Sequence, residues 1–521
     1  MRRADAARAG AVTLACLALG AAFAQTFGRP SAGPLGIVIL ALFAALLWRG
    51  TAPTPVARAK RGAGLGLAFG VGWFAGGLWW LYISMAVFGG LAPALSGGAV
   101  LLFSIYLAAY PAAACALAAS LAPAASRHAW PTGRAAGAAL AFAASWTLGE
   151  WLRGTMFTGF PWLALGYAEV GTPLAGFAPI LGVHGVGFAA AMASALLAML
   201  TCVSTRGAAA AAVALVAIGV TGAELRNQHW THPEGAPLRV ALLQGNVAQG
   251  EKFRPEKLAP TLALYDAWMT HLRADLIVTP ETAVPVLPRD LPQGYLAQLD
   301  AAVHANGARL LLGIPLTRGD NQFTNSVLGL GGATRYRYYK AHLVPFGEFI
   351  PAGFHWFVRM MDIPLGDFAR GTFDQPSFVV HGTRIAPTIC YEDLFGAQLA
   401  QRFRDAPAAP NVIANLTNLG WFGDTIVLGQ HLEIARMRSL EFQLPSIRAT
   451  NTGATAVIGP DGRVQGRLPS YTVGVLTSVV QGYAGITPYA WSASRFGHAP
   501  IVVLCLLVLL GVFGLARRAG T

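Results

Sequence analysis

Three short runs carry side chains that could act together on a carbonyl carbon. They are Glu281 in IVTPET, Lys340 in YYKAHLVPFGEF and Cys390 in TICYED. A carboxylate can take the thiol proton, the thiolate can attack the carbonyl, and an ammonium can stabilise the oxyanion that develops. The product is a thioester whose acyl group can pass to a second nucleophile, with no histidine required. Taken singly, each residue also has a plainer reading. Cys390 reads as an inert buried thiol, Glu281 as a surface acid capping the next helix, and Lys340 as a solvated edge-strand residue.

Composition sharpens two of the three. Of 37 basic residues only Lys60, Lys252, Lys257 and Lys340 are lysines, which leaves 33 arginines. Lys340 stays a lysine beside Arg335 and Arg337. A compact ammonium with an adjustable pKa does chemistry that guanidinium does not. The other three lysines read as ordinary. Among the five cysteines, Cys16, Cys115, Cys202 and Cys505 lie in apolar runs, where cysteine packs as a small hydrophobe. Cys390 alone lies in a polar region, so it has no disulfide partner there. No Cys/His cluster has metal-ligand spacing, and neither a metal nor an organic cofactor is expected.

The elements that would position these residues begin near residue 237, where short β-branched apolar runs alternate with polar, helix-length segments. Strands are expected at 239–244, 276–279, 309–314, 326–330, 335–342, 377–380, 385–390, 411–416, 446–450, 454–458 and 473–479. Helices are expected at 257–272, 294–306, 396–403 and 428–442. Interleaved strands and helices predict an α/β domain with helices covering sheets. Each of the three reactive residues then sits at or near a strand end, where α/β folds place functional loops. Asp461-Gly462 reads as a hairpin turn.

The rest of the chain is of another kind. Hydrophobic residues make up 55% of the whole and charged residues 12%, against about a quarter charged in ordinary soluble domains. Eight apolar segments approach the roughly 20 residues that a membrane-spanning helix needs: 10–27, 34–49, 63–86, 94–122, 135–153, 180–201, 207–223 and 499–516. With a cytoplasmic N-terminus, the inside segments hold Arg2, Arg3, Arg8, Arg49, Arg58, Lys60, Arg61, Arg127, Arg134, Arg206, Arg517 and Arg518. The short outside loops hold only Arg29 and Arg153. That asymmetry predicts both termini inside and residues 224–498 outside. The expected division is a bundle over 1–223, an extracytoplasmic catalytic domain over 224–498, and a final span with a cytoplasmic tail over 499–521. The competing reading of the N-terminus is a signal peptide cleaved after Ala22-Phe23-Ala24. Its removal would invert an otherwise consistent charge pattern.

The net charge of +13 does not point to nucleic acid. Residues 224–498 carry 23 basic and 21 acidic residues, a net of +2; the remaining 14 basic and 3 acidic residues net +11. The excess therefore belongs to loops around apolar segments. Residues 72–90 (GWFAGGLWWLYISMAVFGG) and 158–167 (TGFPWLALGY) are dense in aromatics and glycine. They read either as an interfacial aromatic belt or as a lipid-facing rim containing Trp79, Trp80 and Trp162. In the second reading, alanine at any of the three slows the reaction without unfolding the protein. Glu150 and Arg153, three apart on a predicted helix, are expected to form a local ion pair.

Beyond the triad, LLQGNV (242–247), GFPWLALGY (159–167), YYKAHLVPFGEFIP (338–351), NLTNLGWFGDT (415–425), QHLEIARMRSLE (430–441) and RATNTG (448–453) extend the pattern. Together these runs resemble the carbon–nitrogen hydrolase (nitrilase) superfamily, and more closely its membrane branch, the apolipoprotein N-acyltransferases. The resemblance covers essentially the whole chain, and the long run around Lys340 is its most specific part. It implies a polytopic helical bundle of about eight spans with an αββα nitrilase-like sandwich. It also implies Glu281 as general base, Lys340 as oxyanion stabiliser and Cys390 as nucleophile. Glu348 matches a further active-site acid, and Tyr391 and Glu392 match residues that shape the site; Glu348 and Glu392 each read equally as structural ion-pair partners. The NLGW run at 418–421 departs from the acid-containing N-D-x-W form of the family, which leaves that loop's contribution open.

The implied reaction has two steps. A phospholipid, typically phosphatidylethanolamine, acylates Cys390; the α-amine of a diacylglyceryl-cysteine on an apolipoprotein then takes the acyl chain. The implied setting is a monomer in the inner membrane of a bacterium, with its catalytic domain in the periplasm. Two alternatives stand beside this one. A membrane-tethered amidase acting on a small amide would share the triad, but it needs no large bundle. A transporter with an accessory domain would place ionisable groups inside its spans, where acids here are scarce.

Overall fold

The alternation read in the polar region becomes two facing sheets. The computed structural model describes residues 3–49, 52–124, 129–319, 322–354, 356 and 368–518. Its chain divides into two units: Met1–Tyr82, Pro93–Gln228 and Phe496–Thr521 form one, and Ile83–Ala92 with His229–Arg495 the other.

In the second unit the strands run β1 (Thr231–Pro233), β2 (Leu238–Gln244), β3 (Leu276–Val278), β4 (Arg309–Arg318), β5 (Gln322–Leu330), β6 (Tyr336–Tyr339), β7 (Phe378–Val380), β8 (Thr383–Ile389), β9 (Val412–Thr417), β10 (Ser446–Thr450), β11 (Ala456–Ile458), β12 (Val464–Arg467), β13 (Gly474–Val480) and β14 (Tyr483–Gly485). One six-stranded sheet has the order β13-β2-β3-β4-β5-β6, the other β12-β11-β10-β9-β8-β7, and β1 pairs with β14. β2, β3 and β4 are parallel neighbours, as are β8, β9 and β10. Parallel pairing is what lets several strand ends point to one rim.

Side-chain alternation decides which residues meet. Val240, Leu242, Leu276, Val278 and Val327 of the first sheet pack against Ile385, Ile389, Ala414, Leu416 and Ile447 of the second. Their neighbours Ala241, Leu243, Ile277, Leu310 and Leu312 face outward onto Leu262, Tyr265, Met269, Leu299 and Val303. Those five lie on the helices Pro255–His271 and Tyr295–Ala305. On the far side, the helix Val427–Phe442 and its neighbours cover the second sheet through Leu399, Phe403, Leu432, Ala435 and Phe442. The layers are therefore αββα, as the resemblance implied. Burying a single Leu or Ile between such layers stabilises by about 1.5–3 kcal/mol.

The strand and helix positions agree with expectation to within a few residues, and the departures have local causes. β1, β12 and β14 were not anticipated; they are three or four residues long and lack a continuous apolar run. β6 stops at Tyr339, so Lys340 lies just beyond the strand that was expected to contain it. Asp461-Gly462 does make the β11–β12 turn, with Gly462 at φ +75° and its N–H donated to the Gly459 carbonyl at 2.9 Å.

In the first unit, helices occupy all eight expected segments: Arg3–Ala24, Gly33–Trp48, Pro55–Leu78 with Leu81–Phe88, Pro93–Leu121, Thr132–Thr155, Ala178–Met199, Thr205–Arg226 and Ala499–Arg518. Five are long and apolar enough to cross a membrane, and six if the bent pair counts as one. Gly33–Trp48 is 16 residues long. The expected straight span over 63–86 is broken. The helix ends at Leu78, bends by 60°, and continues as Leu81–Phe88 with a π-type turn at Ser84–Phe88. The short segment Ile83–Ala92 belongs to the second unit, where Phe88 meets Trp421 edge-on at 5.7 Å.

The first helix is an integral part of its unit. A Cβ on Gly72 would lie 2.0 Å from the Leu17 carbonyl oxygen, and one on Gly20 would lie 1.9 Å from that of Phe69. Backbones approach this closely only through glycine, and Phe23 and Ala24 are fully buried. The cleavage reading would remove half of that interface.

Glu150 and Arg153 attract each other electrostatically, and each is also held by other hydrogen bonds. Glu150 Oε1 accepts hydrogen bonds from Trp146 Nε1 at 3.2 Å and Leu165 N–H at 2.8 Å. Arg153 Nη1 donates to the carbonyls of Phe160 and Trp162 at 2.7 and 2.5 Å. The segment 156–165 folds back over this helix end, and its backbone groups bond both side chains.

Candidate active site

Glu281 follows the end of β3 on a turn that lies directly across β4. A Cβ on Gly313 would stand 2.2 Å from the Pro280 carbonyl oxygen, so glycine is required for the turn to settle there. Thr279 Oγ1 accepts the Gly313 N–H at 2.8 Å and Val284 N–H donates to the Gly313 carbonyl at 3.1 Å. Both bonds fix the turn, and Thr282 adopts φ +52° within it. The carboxylate is held at both oxygens. Oε1 accepts from Asn325 Nδ2 at 2.7 Å and Lys340 Nζ at 3.3 Å; Oε2 accepts from Asn418 N–H at 2.9 Å.

Lys340 is 1% exposed, so it is not the solvated edge residue of the plainer reading. Its N–H still pairs with the Asn325 carbonyl at 2.9 Å. Its ammonium donates to Glu281 and, at 2.8 Å, to Glu348 Oε1. Burial alone would lower its pKa, but the Glu348 and Glu281 carboxylates outweigh that and raise it above 10.5. The charged form is therefore secure, and two of its three N–H groups are engaged. Glu348 is anchored by the Val344 N–H to its Oε2 at 2.8 Å and by Asn325 Nδ2 to its Oε1 at 2.6 Å. Asn325 on β5 thus bridges both acids.

Cys390 breaks the extended course of β8 with φ +48° and opens a tight helical turn, Cys390–Leu394. A non-glycine residue in this region costs on the order of 1 kcal/mol and persists only where neighbours enforce it. The neighbours here are visible. Asn415 Nδ2 donates to the Cys390 carbonyl at 3.4 Å, and His431, from the helix Val427–Phe442, lies against the backbone of Cys390. His431 Nδ1 meets Arg448 at 2.6 Å, and Arg448 pairs with Asp393 at 2.8 Å. Burial pushes the thiol above 9.0; Glu281 adds to this, and Lys340 opposes it. At neutral pH the thiol holds its proton and needs a base to remove it.

Glu392 joins the two strand ends. Its Oε1 accepts from the N–H groups of Ala341 and His342 at 2.7 and 3.2 Å; its Oε2 accepts from Ile389 N–H at 2.6 Å. Tyr338 OH lies 2.8 Å from each oxygen. Burial raises its pKa and the backbone donors lower it in turn. Tyr391 is buried and packs against His342 and Phe395 with centroids at 5.6 and 5.2 Å. The Lys340 and Cys390 ends are therefore held together by one carboxylate and one aromatic cluster.

Three residues here were not anticipated. Lys252, read as ordinary, is 3% exposed and donates to the Glu281 carbonyl at 2.9 Å. The rarity of lysine that singles out Lys340 applies to it equally. Asn325 carried no signal beyond its strand. Asn418 supplies what the NLGW loop contributes: its N–H holds Glu281, and its side chain bonds Gln249 at 2.7 Å.

The proposed rim needs correction. Trp79 is 45% exposed, but Trp80 and Trp162 are 2% and 4% exposed and pack on each other at 5.2 Å. Glycine and aromatic density at 72–90 reflects close helix packing and the helix break, so these two indoles are core residues of the helical unit.

Facing sheets with helices outside, and an acid, a lysine and a cysteine delivered from strand ends, define the carbon–nitrogen hydrolase fold. Residues 239–489 match the carbon–nitrogen hydrolase family model, and residues 17–196 match that of the apolipoprotein N-acyltransferase N-terminal domain. An apolipoprotein N-acyltransferase of Ralstonia nicotianae is 49% identical over 88% of this chain and 86% of its own length. One from Bordetella bronchiseptica is 43% identical over 96% of each. Among solved structures, an amidase from Nesterenkonia sp. aligns with 49% of this chain and 93% of its own at 20% identity and a TM-score of 0.34. The chain belongs to the apolipoprotein N-acyltransferase family, and it is an acyltransferase enzyme with several membrane-type helices.

Proposed function

We propose that the protein moves a fatty acyl chain from a phospholipid to the α-amine of a diacylglyceryl-cysteine at the N-terminus of an apolipoprotein, through a thioester on Cys390. The observation that carries this reading is the convergence of Glu281, Lys340 and Glu348 in one buried hydrogen-bonded cluster within electrostatic reach of Cys390.

Glu281 takes the thiol proton as sulfur attacks the ester carbonyl, and the third N–H of Lys340 meets the developing oxyanion. The proton passes to the leaving lysophospholipid oxygen. In the second step the amine attacks the thioester, Glu281 accepts the ammonium proton, and the thiolate leaves. Glu348 keeps Lys340 charged and oriented. Tyr391 and Glu392 keep the two strand ends in register.

Phosphatidylethanolamine is the proposed donor, and the enzyme acts as a monomer in the bacterial inner membrane. The arginine asymmetry supports cytoplasmic termini and a periplasmic catalytic domain.

Intact-protein mass spectrometry after incubation with phosphatidylethanolamine tests the reading. A hydroxylamine-sensitive acyl adduct is expected on the wild type, absent from Cys390→Ala and discharged by a diacylglyceryl lipopeptide. A folded wild type that acquires no adduct, yet hydrolyses small amides, overturns it in favour of the amidase alternative.

A further inference from the structure

Lys252 is a buried cation that this mechanism does not use. It sits in a loop fixed at several points. Lys252 N–H donates to the Ala248 carbonyl at 3.0 Å. Gln249 accepts from Asn418, and Val247 exchanges two hydrogen bonds with the side chain of Asn451 at 3.0 and 2.8 Å. The ammonium makes one hydrogen bond, to the Glu281 carbonyl at 2.9 Å, and no ion pair among the described residues. A buried lysine without a carboxylate partner is costly unless its charge balances others nearby.

The charges around Cys390 give the reason. Glu281 and Glu348 contribute two negative charges and Lys340 one positive. Arg448 is matched by Asp393, and His431 is held neutral by burial and by Arg448. Glu392, two residues past Cys390 and coupled to Lys340, adds a third carboxylate, so without Lys252 the cluster beside the thiol carries an excess of negative charge, which opposes forming a thiolate there. A charged Lys252 offsets part of that excess.

We propose that Lys252 is a positioning residue of this acyltransferase: it holds the Glu281 turn through the backbone carbonyl and supplies the second positive charge that lets Cys390 ionise. The inference rests on Cys390 being the nucleophile. Burial lowers the Lys252 pKa to about 8, with Glu281 and Cys390 opposing that shift. The ammonium is therefore present at neutral pH and is coupled to both groups.

The test uses the full chain in detergent micelles, with Lys252→Met, Lys252→Gln and Lys252→Arg. Iodoacetamide labelling of Cys390 is followed against pH by intact mass, with Cys390→Ala correcting for the other cysteines, and thermal melting checks folding. Lys252→Met and Lys252→Gln should move the acidic limb alkaline by about one pH unit, roughly tenfold slower labelling at pH 7, while Lys252→Arg stays near wild type. A merely structural lysine would alter melting without moving the limb. A folded neutral variant with a wild-type limb, or an arginine variant shifted like the neutral ones, overturns the proposal. Should neither neutral variant fold, the arginine profile decides alone. Labelling does not require a lipid donor, so these outcomes are separate from a failure of wild type to form the acyl adduct.

Discussion

Glu392→Gln exchanges one carboxylate oxygen for an NH2 group at nearly constant shape. In the native site three backbone N–H groups point at this carboxylate, two at one oxygen and one at the other. The amide has one acceptor atom and must turn its donor toward one of the two sets. If the NH2 faces Ile389, it meets an N–H at a position now 2.6 Å from an acceptor. If it faces Ala341 and His342, two donors lose their partner. Tyr338 can rotate its hydroxyl to accept, but a backbone N–H cannot. A lost hydrogen bond to a charged acceptor is worth about 1.5–3 kcal/mol, and the buried donor left behind costs about 1–3 kcal/mol more. The expected destabilisation is about 2.5–6 kcal/mol.

Because the same carboxylate ties the residue after Lys340 to the residue before Cys390, relaxation should also separate the two. A displacement near 1 Å in such a site costs on the order of 100-fold in rate. Thermal melting of the detergent-solubilised chain measures the first effect. The rate of acyl-adduct formation, taken where both proteins are folded, measures the second. A Glu392→Gln protein with wild-type melting would refute the bracing role. One with lowered melting but a wild-type rate would show that the brace serves the fold alone.

His342 offers a pH test, since burial lowers its pKa from 6.5 to about 4. A histidine buried neutral contributes stability that is full above about pH 6.5 and is lost as pH falls through 4, about 3 kcal/mol in all. Acid-induced melting of His342→Phe should lack most of that loss between pH 6.5 and 4; an identical pH dependence refutes the assignment. Gly72→Val drives a side chain into the Leu17 carbonyl and should cost about 1–3 kcal/mol, read as a lower midpoint in detergent-denaturation titrations. An unchanged midpoint would mean the first helix is not packed as described. Trp80→Ala should destabilise by about 3–5 kcal/mol as a core truncation, whereas the exposed Trp79→Ala should change melting by a degree or two. Equal effects would contradict the burial assigned here.

Much of this architecture was legible in the chain because the relevant physics is local. Runs of about 20 apolar residues and an excess of arginine in short loops mark membrane-type helices. Two-residue alternation and parallel strand ends mark the sandwich and the places where Glu281, Lys340 and Cys390 emerge. The scarcity of lysine marked Lys340 as unusual, and the same signal was present at Lys252 without being read. What the local pattern could not decide is which acids hold and which react. Glu392 reaches residues 51 positions away, and Asn418 reaches Glu281 across 137. Asn325 serves two carboxylates only because β5 lies beside both.

The linear sequence by itself determined the two kinds of region, the eight helical segments and the order of strands in the chain, since each follows from composition and periodicity over a few neighbouring residues; Glu281, Lys340 and Cys390 were singled out by the resemblance of their motifs to a known family. Tertiary structure alone decided that Trp80 and Trp162 are core residues, that Arg153 serves backbone carbonyls, that Glu348 pairs with Lys340 while Glu392 braces the backbone, and that Lys252 is buried. Burial and hydrogen-bond partnership depend on residues brought together from distant parts of the chain, and that information is created only when the sheets close on each other.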